Sequence, residues 1–402
     1  MSQSHFEIEC QEVVGRLKSA LIELFDAANA DHKKPQDVAR QLGVNKTLTW
    51  NIARFLDAPV ALEALSFAPG AASITKVADA FPGGKRLAEM KQRVRDAASA
   101  IDEMVERHAG DRSTLELILD NVLPAEDQRL EVSRRYTFRG QSGIFGVQAR
   151  TRLSTWFVAP NTEDPTRLDL ATLRGYARVR RLRPNVEWPI FKTRVWRTEG
   201  QTSEERPFTP LDPRASVENP LLLDFCQGDV PKVELTATPE GTNYMLRSGL
   251  VGNAGAFDVF AGELLRSGED RFAAPGDDIG EVGTSITTPS EHLVFDLLYH
   301  RSLTNLDHVE SLVFGQIYPQ GERTPASDDP RVLPLKPRVV RIAGSPPAVA
   351  TTRVPRYAEM VQMVFDRAGW SPNDFVGMRV EIDYPPLHSQ VMLRFPLERR
   401  AP

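Results

Sequence analysis

Two spacings of apolar residues divide the chain. Up to about residue 140 they recur three and four positions apart, which places them on one face of an α-helix. Val13, Leu17, Leu21, Leu24 and Phe25 predict a first amphipathic helix, Val38 and Leu42 a short second one, and Leu48, Ile52 and Phe55 a third. Pro69-Gly70 and Pro82-Gly83-Gly84 then interrupt the pattern. Lys85 to His108 predicts a long helix in which Leu87, Val94, Ile101 and His108 recur every seven residues, with Met90, Ala97 and Met104 three residues after the first three. That is a heptad seam of about three repeats.

From about Gln141 β-branched and aromatic residues alternate between prolines, and strands replace helices in the expectation. They are predicted over Arg150 to Ala159, Gly175 to Arg183, Val186 to Trp196, Lys232 to Ala237 and Tyr244 to Leu250. A second group covers His292 to His300, Ser311 to Pro319, Arg338 to Ala343, Gly377 to Asp383 and Ser389 to Phe395. Only Phe257 to Arg266 and Pro355 to Ala368 read as helices here, and Thr198 to Pro220 and Pro319 to Pro337 as Pro-rich loops. The fold class expected is therefore α+β and multidomain, all-helical first and β-rich mixed α+β afterwards. The expected divisions are a helical head over 1–84, a long helix and connecting helices over 85–140, and a β-rich region over 141–402 with two lobes at 141–270 and 271–402.

The stretch from Pro35 to Leu56 carries the clearest chemistry. Gly43 stands between its two short helices where the chain needs positive φ, Asn45 follows as an N-cap, and Ala39 keeps the helices close. With the apolar side chains turned inward, Asn45, Lys46, Thr47, Trp50, Asn51 and Arg54 are left on the outer face of the second helix. The segment resembles the helix-turn-helix of bacterial transcription regulators over about 20 residues. It departs from that pattern at Thr49, where an apolar residue is usual, and at Trp50, a large aromatic in a position offered to DNA. The resemblance implies DNA as partner, with those six residues contacting phosphates and base edges. No alternating strand pair follows, so a wingless head is expected. The seam of Leu87, Met90, Val94, Ile101 and Met104 would then join two heads as a homodimer. A helical hairpin inside an ordinary α-domain, or a protein-docking pair, fits the same spacing.

Composition sets the remaining bounds. The chain has 402 residues, 41% hydrophobic and 26% charged, as in a soluble globular protein. Two cysteines, Cys10 and Cys226, make no disulfide framework, and neither an apolar leader nor a membrane span is expected. A cytoplasmic location without membrane association follows as the expectation. The net charge of −5 hides an asymmetry: residues 129–197 hold 15 Lys and Arg against 5 Asp and Glu, whereas residues 1–80 hold 8 against 10. A head with a balance of −2 binds phosphate weakly by itself.

A catalytic constellation is not found. Gly252 to Phe257 lacks the endings of nucleotide loops and reads as a turn with a helix cap, and Gly276 to Glu281 reads as an exposed acidic loop. His292 and His300 would lie about 26 Å apart along a strand, too far to share a metal. Trp156, Trp188 and Trp196 among Arg150, Arg152, Arg174, Arg178, Arg180, Arg181, Arg183, Arg194 and Arg197 suit nucleic acid, an anionic ligand, or salt bridges within a sheet. No catalytic residue, metal ligand or cofactor is assigned. The expected function is a DNA-binding regulator whose C-terminal region senses a small-molecule effector or directs assembly. The rival is an adaptor whose helical pair docks a protein partner, and an enzyme in the C-terminal region comes third.

Overall fold

The computed structural model describes residues 5–122, 126–194, 208–216, 219–228, 234–238, 241–274, 278–318 and 326–400. Two compact units emerge, Met1–Leu130 and Glu131–Pro402. The first is helical: α1 (His5–Ala27), α2 (Pro35–Leu42), α3 (Lys46–Asp57), α4 (Ala61–Phe67), α5 (Ala71–Ala80), α6 (Lys85–His108) and α7 (Arg112–Val122), with α8 (Glu126–Phe145) running into the second. The heptad residues do not form a separate segment. Val14, Leu17, Leu21 and Leu24 of α1 share one core with Ile74 and Val77 of α5 and with Val94, Ile101 and Met104 of α6.

This corrects the dimer seam. Val94 is 0% exposed, Ile101 1% and Met104 0%, and Leu87 and Met90 are half-buried against the same core. The apolar partner that a second copy would have offered is supplied by α1 and α5 of the same chain. A spacing of seven residues reports that a helix has an apolar stripe, not whose residues cover it.

The second unit is built on an eight-stranded sheet. Its strands are β1 (Val147–Pro160), β2 (Arg167–Arg181), β4 (Thr209–Pro210), β5 (Gln227–Gly228), β8 (Phe257–Asp270), β10 (Ser290–His300), β12 (Val340–Ile342) and β13 (Phe375–Asp383). The order is β12-β13-β10-β1-β2-β8-β4, with β5 also on β8. Two three-stranded sheets accompany it. One joins β11 (Glu310–Phe314), β14 (Gln390–Pro396) and β9 (Ile279–Ser285), and the other joins β3 (Trp188–Arg194), β7 (Gly241–Leu246) and β6 (Glu234–Thr238).

Period-two alternation explains the layering. On β10, Val294 and Leu298 face a core shared with Met360, Val364 and Phe365 of α9 (Tyr357–Ala368). Leu293, Phe295 and Leu297 join Val282, Val391 and Leu393 of the first small sheet. The start of β1 and β8 packs with Phe191 and Tyr244 of the second small sheet. Asp296, 0% exposed, fixes α9 on its side: Arg379 donates to both carboxylate oxygens at 2.8 and 2.7 Å, and the Tyr357 hydroxyl donates to one at 2.8 Å.

Three further expectations are corrected here. The two predicted lobes are one sheet, because β1 pairs in parallel with β10 across the supposed boundary. Phe257 to Arg266 is strand β8, not a helix; its first nine residues are all buried, and such an apolar run has no period to read. Gly252–Gly255 is consequently a 3-10 turn leading into a strand, not a helix cap. Trp196, Arg197, Lys232, Gly276, Asp277, most of the Thr198 to Pro220 loop and the start of the Pro319 to Pro337 loop lie outside the described residues.

Candidate nucleic-acid interface

The helical pair α2–α3 forms where the apolar spacing predicts two helices. Pro35 opens α2, where its missing N–H costs no hydrogen bond. Gly43 ends α2 at φ 65° and ψ 29°, a left-handed conformation natural to glycine. Asn45 starts α3, its side-chain oxygen accepting from the Thr47 amide at 2.8 Å.

Inward side chains hold α3 in place. Thr49, Ile52, Ala53, Phe55 and Leu56 are buried. Thr49 is 3% exposed and its hydroxyl donates to the Pro35 carbonyl at 2.8 Å, which ties the start of α2 to α3. A threonine at an apolar position is thereby accounted for: the hydroxyl is satisfied, and its partner lies in the facing helix. At the other end Lys18 of α1 donates to the Leu56 and Ala58 carbonyls at 3.3 and 2.5 Å. Burial pushes the Lys18 pKa down.

The outer face carries the six residues singled out from sequence. Asn45, Lys46, Thr47, Trp50 and Arg54 are exposed, and Asn51 is half-buried. Trp50 is 47% exposed. Arg54 lies over the Phe67 ring of α4 at 3.8 Å, which holds its guanidinium against the unit's own surface. Lys46 has no ion-pair partner among the described residues. It lines, with Gln36, Ala39, Arg40 and Val44, an open depression of about 450 Å³ where α2 and α3 meet.

Arg40 is thus part of this surface although the sequence reading did not single it out. Its position two residues beyond Val38, away from the apolar stripe of α2, was the available signal. Nearby groups are partly engaged: Arg40 pairs with Asp37 at 3.2 Å and Lys34 with Asp31 at 3.7 Å, and the His32 ring lies 3.8 Å from the Asp57 carboxylate. Exposed pairs of this kind contribute about 0–1 kcal/mol and exchange readily for other anions.

The arginines of the second unit are engaged differently. Arg174 pairs with Glu263 at 2.8 Å and Arg180 with Glu291 at 3.2 Å. Arg181 is 1% exposed and donates to the Arg247 carbonyl at 2.9 Å, and Arg183 donates to the Ile144 carbonyl at 2.7 Å. The indole N–H groups of Trp156 and Trp188 donate to the Gly283 carbonyl and the Thr288 hydroxyl at 3.1 and 3.0 Å. These residues hold strands and sheets together. Among histidines, His292 meets Asp383 at 2.7 Å and His300 meets Ser302 at 2.8 Å.

No family model matches the chain, and no curated protein matches it. Among solved structures it shows similarity to a mutant M1 zinc metallopeptidase bound to a Tyr-Ser-Ala substrate, from Deinococcus radiodurans. Identity is 10% and TM-score 0.24, covering 64% of this chain and 44% of that one. A mutant two-domain M1 zinc metallopeptidase bound to L-arginine gives 11% identity and TM-score 0.23 over 64% and 44%. The chain spans less than half the length of these structures, and likeness at this level bears on neither fold nor function. Among the described residues no helix is long and apolar enough to cross a membrane.

Proposed function

We propose that the chain is a cytoplasmic DNA-binding transcriptional regulator, with the outer face of α3 as its reading surface and the β-rich unit serving effector sensing or assembly. The division of α3 supports this most. Five side chains anchor the helix from within, while Asn45, Lys46, Thr47, Trp50 and Arg54 stand exposed together on its other side. Amide, hydroxyl and cationic groups in that array match phosphate oxygens and base edges. The balance of −2 over residues 1–80 favours two copies acting on neighbouring sites, joined through a surface other than the α6 stripe.

The test is a gel-shift titration of the full chain with genomic fragments at low and moderate salt. A retarded complex that weakens as salt rises is expected. Lys46→Ala should weaken binding to all sequences alike, and Asn51→Ala should relax preference at one base pair by about 1–3 kcal/mol. No complex at low salt, or binding untouched by both changes, removes DNA from this face. One observation favours the adaptor reading: Trp50 is 47% exposed on this face, and tryptophan is a common anchor at protein interfaces. If no DNA binds, Trp50 is the residue on which a protein partner would seat.

A further inference from the structure

At one end of the helical unit two helices bring three metal-ligating side chains together. His5 and Glu9 lie four residues apart on α1 and so share a face, and His108 is the last residue of α6. Their donor atoms all lie within 4.8 Å of one another. Nε2 of His108 is 2.7 Å from one carboxylate oxygen of Glu9, and Nδ1 of His5 is 3.9 Å from the same oxygen. The other oxygen accepts from Arg107, the kind of outer hydrogen bond that orients a ligating carboxylate. The Phe6 ring, 5.3 Å from that of His108, walls one side.

We infer that His5, Glu9 and His108 form a binding site for a divalent transition-metal ion of the zinc type. Two imidazoles and one carboxylate suit zinc and its first-row neighbours, whereas magnesium and calcium prefer all-oxygen shells. Three donors at zinc's bond lengths lie about 3.3–3.5 Å apart. The His108–Glu9 contact must therefore open slightly and His5 must approach. His5, with 85% of its side chain exposed, has room to turn. The ion takes the place of the hydrogen bond between His108 Nε2 and the Glu9 carboxylate, with the imidazole nitrogen and the carboxylate oxygen turned to it as donors. The carbonyl end of α6 favours a cation at this point, and the Arg107 guanidinium opposes it.

Sequence reading placed His108 in a seam and found no ligand set, because the third donor is 99 residues from Glu9 along the chain. Binding would clamp the start of α1 to the end of α6, two helices that share the core of the unit. The inference does not depend on what α3 contacts.

The test uses the full chain, first stripped with a chelator. Zn²⁺ is titrated calorimetrically and by thermal unfolding, and Co²⁺ absorption reports the coordination. One ion per chain and a raised melting temperature are expected. His5→Ala changes an exposed side chain, so it should melt like the metal-free parent. It should also bind Zn²⁺ more than about tenfold more weakly. His108→Gln and Glu9→Gln should lose the zinc-induced shift. Zinc that fails to bind, or that binds and stabilises the parent and His5→Ala equally, overturns the site.

Discussion

The helical unit and the β-rich unit bury different chemistry. Among the described residues of the helical unit, Thr49 is the one polar side chain that is fully enclosed. The β-rich unit encloses Asp169, Arg181, Asp212, Glu263 and Asp296. Apolar packing is undirected, so α1 to α7 need only present their stripes to one another. Buried ionic groups accept few arrangements. Asp296 is satisfied only where Arg379 of the neighbouring strand and Tyr357 of α9 both reach it. The first unit is held by area, and the second by area together with fixed polar registers.

The largest effect that could break this contrast is expected in the helical unit. Val94→Asp places a charge at a site of 0% exposure and should cost about 4 kcal/mol or more, enough to unfold the unit. Circular dichroism should show helix loss. If helix content were kept while light scattering fell from dimer to monomer mass, the α6 stripe would belong to an interface after all. Next, Arg379→Ala leaves the Asp296 carboxylate buried without its guanidinium and should cost roughly 3–5 kcal/mol. Urea unfolding should show the loss in the β-rich transition alone; a loss below about 1 kcal/mol would mean that the ion pair fixes nothing.

A smaller effect concerns acid. The Arg214 guanidinium beside Asp212, helped by the Arg214 and Leu223 amides, holds its carboxyl down to about 2 against the opposing pull of burial. Because the folded value lies below the unfolded one, the stabilisation is complete above about pH 4 and disappears as pH falls from there towards 2. With Arg214 half exposed it is worth on the order of 1–2 kcal/mol. Asp212→Asn should flatten the acid limb of the stability curve, and an unchanged limb would show that other carboxylates govern it. The smallest effect is at Gly43, where an added Cβ would meet nothing within 4 Å. Gly43→Ala therefore reads the backbone term of the left-handed turn by itself, about 1 kcal/mol by thermal melting.

The same contrast governs what the sequence reveals. In the α2–α3 pair, Val38, Leu48, Ile52 and Phe55 repeat at helical spacing, and Gly43 and Asn45 do what their side chains favour, so geometry follows from neighbours in the chain. The outer face was legible by subtraction, whereas the stacking of Arg54 on Phe67 was not. In the β-rich unit β8 gave no period because both of its faces are covered. Strand β9 was hidden by Gly280 and Gly283, residues with little strand preference, the first of them inside the segment that reads as an exposed acidic loop. Their missing side chains make room for the Phe395 ring and the Met392 sulfur, which a Cβ would approach to 2.3 and 2.2 Å. Nor can alternation reveal that β1 pairs with β10, since pairing partners leave no mark on local pattern.

The β1–β10 pairing also has a history that begins on the ribosome. Residues 147–160 emerge well before residues 290–300, and at ordinary synthesis rates the interval is on the order of ten seconds. During that time β2 can pair with one edge of β1, while the other edge offers a row of unmatched amides and carbonyls to any nascent neighbour. The helical unit, already released, has no such wait. Slowing elongation between codons 160 and 290 should therefore raise aggregation of newly made chains without altering the protein that finally folds.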